Sequence, residues 1–280
     1  MSSRDTEGVT ELDRLRGIVA TGNVAVLSGA GISTDSGIPD YRGPNGALRA
    51  RLPMTIREFT GSVQARRRYW ARSQVGWRRM IAAAPNDSHR AVAALEREGH
   101  LAGVITQNVD GLHQAAGARN VIELHGSLNR VVCLECAALS SRDRLDERLA
   151  AANPAADFDA IVPANPDGDV ELDEEIVNAF NLVGCECCGS DLLKPDVVFF
   201  GENVPRTRVD ACFGLVAGAS ALLVLGSSLT VMSGLRFVRR AHADGIPVAI
   251  VNRGVTRGDS EATIRLDAPL GEVLPALVGP

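Results

Sequence analysis

The 280-residue sequence has no apolar run approaching the roughly 20 residues that a membrane-spanning helix requires, so no membrane partner is expected. It also lacks an excess of basic charge. Lys and Arg number 29 against 34 Asp and Glu, a net charge of −5, so the positive field that would steer nucleic acid is missing and no direct nucleic-acid partner is expected. The stretch from Met1 to Leu15 has no apolar segment and carries Arg4, Asp5, Glu7, Glu11 and Asp13, which fits neither a secretory signal nor an acid-poor transit peptide. The expectation is a cytoplasmic protein whose six cysteines, in a reducing compartment, are available for metal rather than disulfides. What the sequence has in quantity is apolar side chains. At 45% they suffice, over this length, for the core of one large α/β domain and a smaller satellite.

Asn23 to Ser28 is a short apolar run that ends at Gly29-Ala30-Gly31, the pattern of a buried parallel strand turning sharply at its carboxyl end. Similar runs recur at Gly103 to Thr106, Ala221 to Leu225 and Pro247 to Val251, with amphipathic stretches such as His89 to Glu98 and Gly234 to Ala243 between them. Strands alternating with helices predict an α/β doubly wound parallel sheet, with ligands beyond the carboxyl ends of its strands. Two stretches break the rhythm. Arg42 to Ala84 is Arg-rich, holds both tryptophans and Tyr69, and reads as helical; Val131 to Lys194 holds five of the six cysteines around an acidic middle. Both read as insertions that fold together, or against the sheet, as a second lobe.

Cys133-Leu134-Glu135-Cys136 and Cys185-Glu186-Cys187-Cys188-Gly189 form two C-x-x-C knuckles. One such turn presents two thiolates to one ion, and two turns complete the closed tetrahedron of a structural zinc site. Cys187 competes with Cys188 for the fourth position, and spacing favours Cys188. Four protein ligands leave no position for water, so the metal is structural. Cys212, in the apolar stretch Ala211 to Val216, reads as a small buried hydrophobe.

Gly29-Ala30-Gly31-Ile32-Ser33 follows a strand and is expected to open a helix, whose backbone N–H groups would receive a pyrophosphate. The third glycine of the usual fingerprint is absent, which points to a dinucleotide in a variant pose. Polar clusters stand at three other strand ends: Gln107-Asn108-Val109-Asp110, Gly226-Ser227-Ser228 and Asn252-Arg253-Gly254. Singly each reads as a cap or turn; four on one sheet edge read as a ribose and nicotinamide site. His125, after the apolar run Val121 to Leu124 and before Gly126, suits either a general base or a hydrogen-bonded residue at a domain boundary. His89, His100, His113 and His242 fall on or near helices and read as structural or solvent-facing.

In combination and order, Gly29 to Ser33, Gly37-Ile38-Pro39-Asp40-Tyr41-Arg42, Thr106 to His113, Leu124-His125-Gly126 and the four cysteines resemble the motifs of the sirtuin family. The resemblance runs from about Ala20 to the end. Arg68 to Arg72, Pro166 to Val170 and Leu193 to Glu202 are most similar to class II sirtuins. It implies a Rossmann-type NAD-binding domain over residues 1–37, 91–130 and 195–280. It further implies a helical module with the cofactor loop over 38–90 and a zinc-binding module over 131–194. It implies NAD and one structural Zn per chain, held by Cys133, Cys136, Cys185 and Cys188. His125 would be the general base, with Gln107, Asn108 and Asp110 around the nicotinamide and its ribose. Gly29, Ala30, Gly31 and Ser33 would hold the pyrophosphate together with the loop through Asp40, Tyr41 and Arg42. Gly226, Ser227 and Ser228 would serve the phosphate and ribose side, Asn252, Arg253 and Gly254 the adenosine, and Leu270 the last contact near adenine. Tyr41 and Ser227 depart from the phenylalanine and threonine frequent in the family.

The implied activity is NAD-dependent deacylation of acyl-lysine proteins or peptides. The acyl oxygen displaces nicotinamide from the ribose, His125 then helps deprotonate a ribose hydroxyl that attacks the imidate carbon, and water releases free lysine and O-acyl-ADP-ribose. Phe200, Gly201 and Glu202 would contact the substrate. Tyr69 and Arg72, spaced Y-x-x-R on one helical face, resemble the Tyr and Arg pair of desuccinylating sirtuins and would bind a carboxylate at the end of an acyl chain; the alternative is a solvated arginine-rich face. Rival functions are ADP-ribosyl transfer on the same scaffold, hydride transfer, and a non-catalytic zinc-ribbon interaction protein.

Overall fold

A computed structural model describes residues 10–40, 54–154 and 170–278. The elements run α1 (Glu11–Ala20), β1 (Val24–Ser28), α2 (Ile56–Gly61), α3 (Val63–Ala82), α4 (Asp87–Arg97), β2 (Leu101–Thr106), α5 (Leu112–Ala115) and β3 (Val121–Glu123). They continue as β4 (Gly126–Cys133), β5 (Leu139–Ser141), α6 (Arg142–Ala152), α7 (Glu174–Ala179) and β6 (Leu193–Val197). The chain closes with α8 (Arg206–Ala217), β7 (Ala221–Leu225), α9 (Met232–Ala243), β8 (Val248–Val251), β9 (Ile264–Leu266) and α10 (Leu270–Val273).

The apolar runs pair in parallel in the order β3-β2-β1-β7-β8-β9, as expected of strands buried on both faces. Every residue of β1, β7 and β8 is buried. Leu15 and Val19 of α1, Val92 and Leu95 of α4, and Leu270 and Val273 of α10 cover one face. Cys212 and Val216 of α8 and Leu235, Phe237 and Val238 of α9 cover the other. Helix starts are set locally: Thr10 and Asp13 form a capping box at α1, and Asn86 accepts the amides of Ser88 and His89 at α4.

β1 leads outward to β2 on one side and β7 leads to β8 on the other, so the strand order reverses between β1 and β7. A crevice opens at such a switch point. The two loops leaving it touch. A Cβ on Gly31 would lie 2.8 Å from the Gly226 carbonyl oxygen, and one on Gly29 2.8 Å from Ser227 Cβ. The loop after β1 is two short 3-10 turns, Ala30–Ile32 and Thr34–Ser36, where a helix was expected from the sequence. Gly37 ends the second turn in the left-handed region, φ 81°, and Thr34 donates its hydroxyl back to the Gly31 carbonyl at 3.0 Å, a local bond that favours turns over continued helix.

A second sheet, β5-β4-β6, is antiparallel. Trp70 and Val75 of α3 share one core with Val131 of β4, Leu145 and Leu149 of α6, Val177 of α7 and Leu193 of β6, so the helical stretch and the cysteine-bearing stretch pack as one lobe. The lobe joins the main sheet at Gly126, φ 89°, where an added Cβ would lie 1.9 Å from the Asp196 carbonyl oxygen. Arg130 spans the same junction, pairing with Glu123 at 2.9 Å and Asp196 at 3.0 Å. Among the described residues no helix is long and apolar enough to cross a membrane.

Candidate active site and metal centre

The crevice at the switch point widens into a cleft of about 1390 Å³ between the two lobes. Small-molecule pockets run to roughly 300–1,000 Å³, so there is room for a dinucleotide together with a second substrate. All four polar strand ends meet in it: Gly29, Ala30, Gly31 and Ser33 after β1; Gln107, Asn108, Val109 and Asp110 after β2; Gly226, Ser227 and Ser228 after β7; Asn252, Arg253 and Gly254 after β8. Asp40, His125, Tyr69, Arg72, Phe200, Gly201 and Glu202 line it too. Leu270 does not reach the cleft but packs beneath it, its Cδ1 2.9 Å from where a Gly226 Cβ would stand. Tyr41 and Arg42 lie outside the described residues, as do residues 166–169 of the acidic insert.

The polar strand ends lock to one another. Asn108 Nδ2 donates to the Gly29 carbonyl at 3.2 Å and to Ser33 Oγ at 3.0 Å, and Ser33 Oγ donates to Asp110 Oδ2 at 2.7 Å. Asp110 also accepts the Leu112 amide at 2.9 Å; burial nevertheless pushes its carboxyl above the usual carboxylate range. Gln107 Nε2 bonds Ser227 Oγ at 2.8 Å, tying the end of β2 to the end of β7. Asn252 supports its own turn, donating to the Arg253 and Gly254 carbonyls. His125 stands between β3 and β4, at the boundary its sequence position suggested. Its Nδ1 meets the Gln107 carbonyl at 2.9 Å and its Nε2 meets Ser233 Oγ at 2.8 Å. Burial lowers its pKa, against the Gln107 hydrogen bond and with the guanidinium groups of Arg208 and Arg236, so the ring is neutral at neutral pH and keeps one nitrogen lone pair.

Sequence reasoning assigned no site role to the layer beneath. His89 and His113 are fully buried, edge to face with centroids 5.1 Å apart. His113 Nε2 meets Ser28 Oγ at 2.9 Å, and His89 Nε2 meets Ser33 Oγ at 3.4 Å. Burial takes His89 down to about 4 and His113 to about 3, so both are neutral props under Ser33 and β1. Ser233 was missed as well, since a serine at a helix start reads as a cap.

Within β6, Lys194, the chain's single lysine, is buried, pairs with Glu202 at 3.1 Å and donates to the Val197 carbonyl at 2.6 Å. Glu202 accepts the Phe199 amide at 2.9 Å, and Phe200 bridges to Thr55. The loop from Val198 to Glu202 is therefore fixed at both ends, with Phe200 46% exposed at the mouth of the cleft.

In the small lobe, Sγ atoms of Cys133, Cys136, Cys185 and Cys188 lie within 4.8 Å of one another, and Cys187 is not among them. The contacts Cys133–Cys188 at 3.6 Å and Cys136–Cys185 at 3.7 Å match the edge of about 3.8 Å that Zn–S bonds of about 2.3 Å give a tetrahedron. The amides of Cys188 and Cys187 face Cys185 Sγ and lower that thiol to about 6, towards the thiolate a metal needs. Each knuckle closes on a left-handed residue, Ala137 (φ 58°) after the first and Gly189 (φ 78°) after the second. Four thiols and no open position fit a structural zinc.

Two measurements follow from this geometry. Cys188→Ser is expected to lose zinc by elemental analysis and to melt far below the parent, because structural zinc contributes roughly 10–16 kcal/mol in small modules. Cys187→Ser should keep both; the reverse result would move the fourth ligand. For the buried histidines, the unfolded chain binds protons at about 6.5 that folded His113 refuses down to about 3. The stability this contributes is complete above about pH 6.5 and is lost as pH falls towards the folded value. His113→Gln, which keeps a side-chain N–H for Ser28, should therefore flatten the fall of the urea midpoint between about pH 6.5 and 4. An unchanged slope would mean that His113 titrates as in the unfolded chain.

The same architecture recurs in known proteins. The model of the Sir2 family matches residues 29–233. The chain is 60% identical over 268 residues to "NAD-dependent protein deacetylase 1" of Streptomyces coelicolor, covering 95% of this chain and 89% of that protein. It is 49% identical over 258 residues to "NAD-dependent protein deacylase Sirt4" of Drosophila melanogaster, covering 91% and 82%. The solved structure described as "Sir2-p53 peptide-NAD+" superposes with a TM-score of 0.75 at 31% identity, covering 96% of this chain and 97% of that one. With glycine loops meeting at the switch point, a histidine at the lobe boundary and a four-cysteine cluster all within that span of likeness, the chain belongs to the Sir2 family.

Proposed function

We propose that this protein is an NAD-dependent protein-lysine deacylase, acting on acyl-lysine proteins or peptides to give nicotinamide, free lysine and O-acyl-ADP-ribose. The observation that carries the reading is His125: neutral, held through Nδ1 by the Gln107 carbonyl, and placed in the cleft beside Asn108, Asp110 and Ser33. The residues fit NAD, because glycine loops line the cleft at the switch point and hydroxyl, amide and carboxylate groups converge on one end of it. When bound, NAD supplies an electrophilic ribose carbon with nicotinamide as its leaving group.

The chain's own residues do the rest. The loops Gly29 to Ser33 and Gly226 to Ser228 hold the phosphates, Asn252 and Arg253 the adenosine side, and Asn108 and Asp110 fix the nicotinamide ribose. His125 takes the ribose hydroxyl proton at Nε2. The pinned loop from Val198 to Glu202 presents the acylated peptide across the cleft mouth. Tyr41 and Arg42 are assigned to the cofactor loop on the motif alone. We divide the chain into the NAD-binding domain (1–37, 91–130, 195–280), the helical module (38–90) and the zinc module (131–194). The zinc thiols suit a reducing compartment, and we place the protein in the cytoplasm.

Tyr69 and Arg72 support a class II type of acyl choice. Tyr69 packs against Phe59 and Phe199 with ring centroids 5.4 and 5.2 Å away, which anchors it at the base of the loop. Arg72 is only 8% exposed, so it does not belong to a solvated arginine face. Its guanidinium already meets one carboxylate, Glu171 at 3.1 Å, whose side chain is 57% exposed and can yield to the acid of an acyl chain.

Incubation with NAD and a panel of acyl-lysine peptides, followed by mass spectrometry, should show deacylated peptide and O-acyl-ADP-ribose in equal amounts. His125→Tyr should reduce turnover by roughly 100- to 10,000-fold, the worth of a positioned general base. A wild type that removes no acyl group in the presence of NAD would overturn the reading. Within the same panel, glutaryl or a branched acidic acyl group should leave faster than acetyl, and Arg72→Ala should erase that advantage while sparing neutral groups. Equal losses on neutral and acidic acyl groups would return Arg72 to a purely structural role.

A further inference from the structure

The contact between His125 Nε2 and Ser233 Oγ, 2.8 Å long, has no part in the reaction as described above. Its direction can be worked out. The partner of Nδ1 is the Gln107 carbonyl, which only accepts, so Nδ1 carries the ring proton and Nε2 of the neutral imidazole holds the lone pair. The Ser233 hydroxyl therefore donates to Nε2.

The start of α9 is built to bring that hydroxyl in. The N-cap position of α9 is Val231, which makes no side-chain cap, and Ser233 sits just inside the helix, where the hydrogen bond found for its Oγ among the described residues runs to the imidazole. The next residue is Gly234, where a Cβ would stand 2.6 Å from Gln107 Oε1. Without a side chain at this position, α9 begins against the Gln107 amide where it stands, and the Gln107 backbone carbonyl holds the other side of the His125 ring. Ser233 and Gln107 thus grip the two ring nitrogens from two elements, the start of α9 and the end of β2.

We propose that Ser233 is a positioning residue for His125, its hydroxyl holding the imidazole so that the basic Nε2 faces the cleft until a ribose hydroxyl takes its place as donor. The inference rests on the deacylase reading. On the exchange of donors, the ribose O–H proton passes to Nε2, the ribose oxygen keeps the electron pair for its attack on the imidate carbon, and the resulting imidazolium remains bound through Nδ1–H to Gln107. Ser233 neither gains nor loses a proton in this sequence.

The order of steps separates this role from a structural one. Nicotinamide leaves before His125 removes a proton, so exchange of labelled nicotinamide into NAD reports the earlier step and deacylation the later one. Ser233→Ala, an unstrained change in a helix, should exchange nicotinamide within about twofold of wild type. Its kcat for deacylation should fall about 10-fold, with KM for NAD unchanged, as expected when a reacting group is held less well. Ser233→Thr, which keeps the hydroxyl, should recover to within about threefold of wild type on the same scale. Deacylation by Ser233→Ala at the wild-type rate, or exchange and deacylation falling together, would overturn the role. A wild type without NAD-dependent exchange would overturn the deacylase reading, and this role with it.

Discussion

The approach of the β1 and β7 loops at the switch point is the constraint on which the rest of the molecule depends. Gly31 lies so near the Gly226 carbonyl that neither loop can carry a Cβ there without moving. Because those backbones touch, Gln107 can bond Ser227 across the gap, and Asn108 can reach both the Gly29 carbonyl and Ser33. The polar side chains of the cleft are then held at the ends of a rigid parallel sheet, by one another and by the backbone of the β1 loop. That is the arrangement that keeps reacting groups within a fraction of an ångström of their working positions.

Beneath this edge lies a buried polar layer in which most groups are paired, while His113 Nδ1 has no hydrogen-bond partner among the described residues. Ser28 bonds both Thr106 and His113, Ser33 bonds His89, and the two neutral imidazoles meet edge to face. Neutrality matters: a charged imidazole at that depth would have no carboxylate among its hydrogen-bond partners, and the protein answers by holding both histidines far below their usual pKa. Asp110 is displaced upwards by the same burial, so one desolvated layer favours neutral forms of groups of both signs.

Much of this was legible in the sequence, for reasons that can be named. Short Val, Ile and Leu runs ending in glycine have few alternatives to buried parallel strands, and two C-x-x-C pairs have a spacing that geometry ties to one ion. The preference for Cys188 over Cys187 came from that spacing, and the cluster is made with Cys188. The loop after β1 was misjudged because glycine followed by Ile-Ser-Thr-Asp-Ser reads equally as a capped helix start or as successive turns, and Gly37 decides for turns. His89 and His113 read as structural or solvent-facing and not as part of the site, since their partners Ser33 and Ser28 stand 56 and 85 residues away and no local pattern joins them. Ser233 is the same case: its neighbour His125 is 108 residues away in the chain.

The four-cysteine cluster lies outside the lining of the cleft, yet a shared core ties it to α3, which lines that cleft. Cys133 and Cys185 are buried in the same apolar cluster as Trp70, Ala71 and Val75 of α3, and Tyr69 packs against it. Trp70 Nε1 donates to the Leu193 carbonyl at 2.9 Å, one residue from Lys194, which anchors the loop from Val198 to Glu202. Arg142, at the start of α6, lies over both Trp70 and Trp77 at 5.2 Å and donates to the Ser73 carbonyl, so α6 clamps α3 from the zinc side. A lobe of this size has too small a core to be stable on packing alone, and a metal staple supplies what is missing. Tyr69 and Arg72 sit on α3, the helix that shares a core with two of the clustered cysteines, while the parallel sheet has two apolar cores of its own. His125 depends on no helix of the small lobe for its hydrogen bonds, which come from the end of β2 and the start of α9.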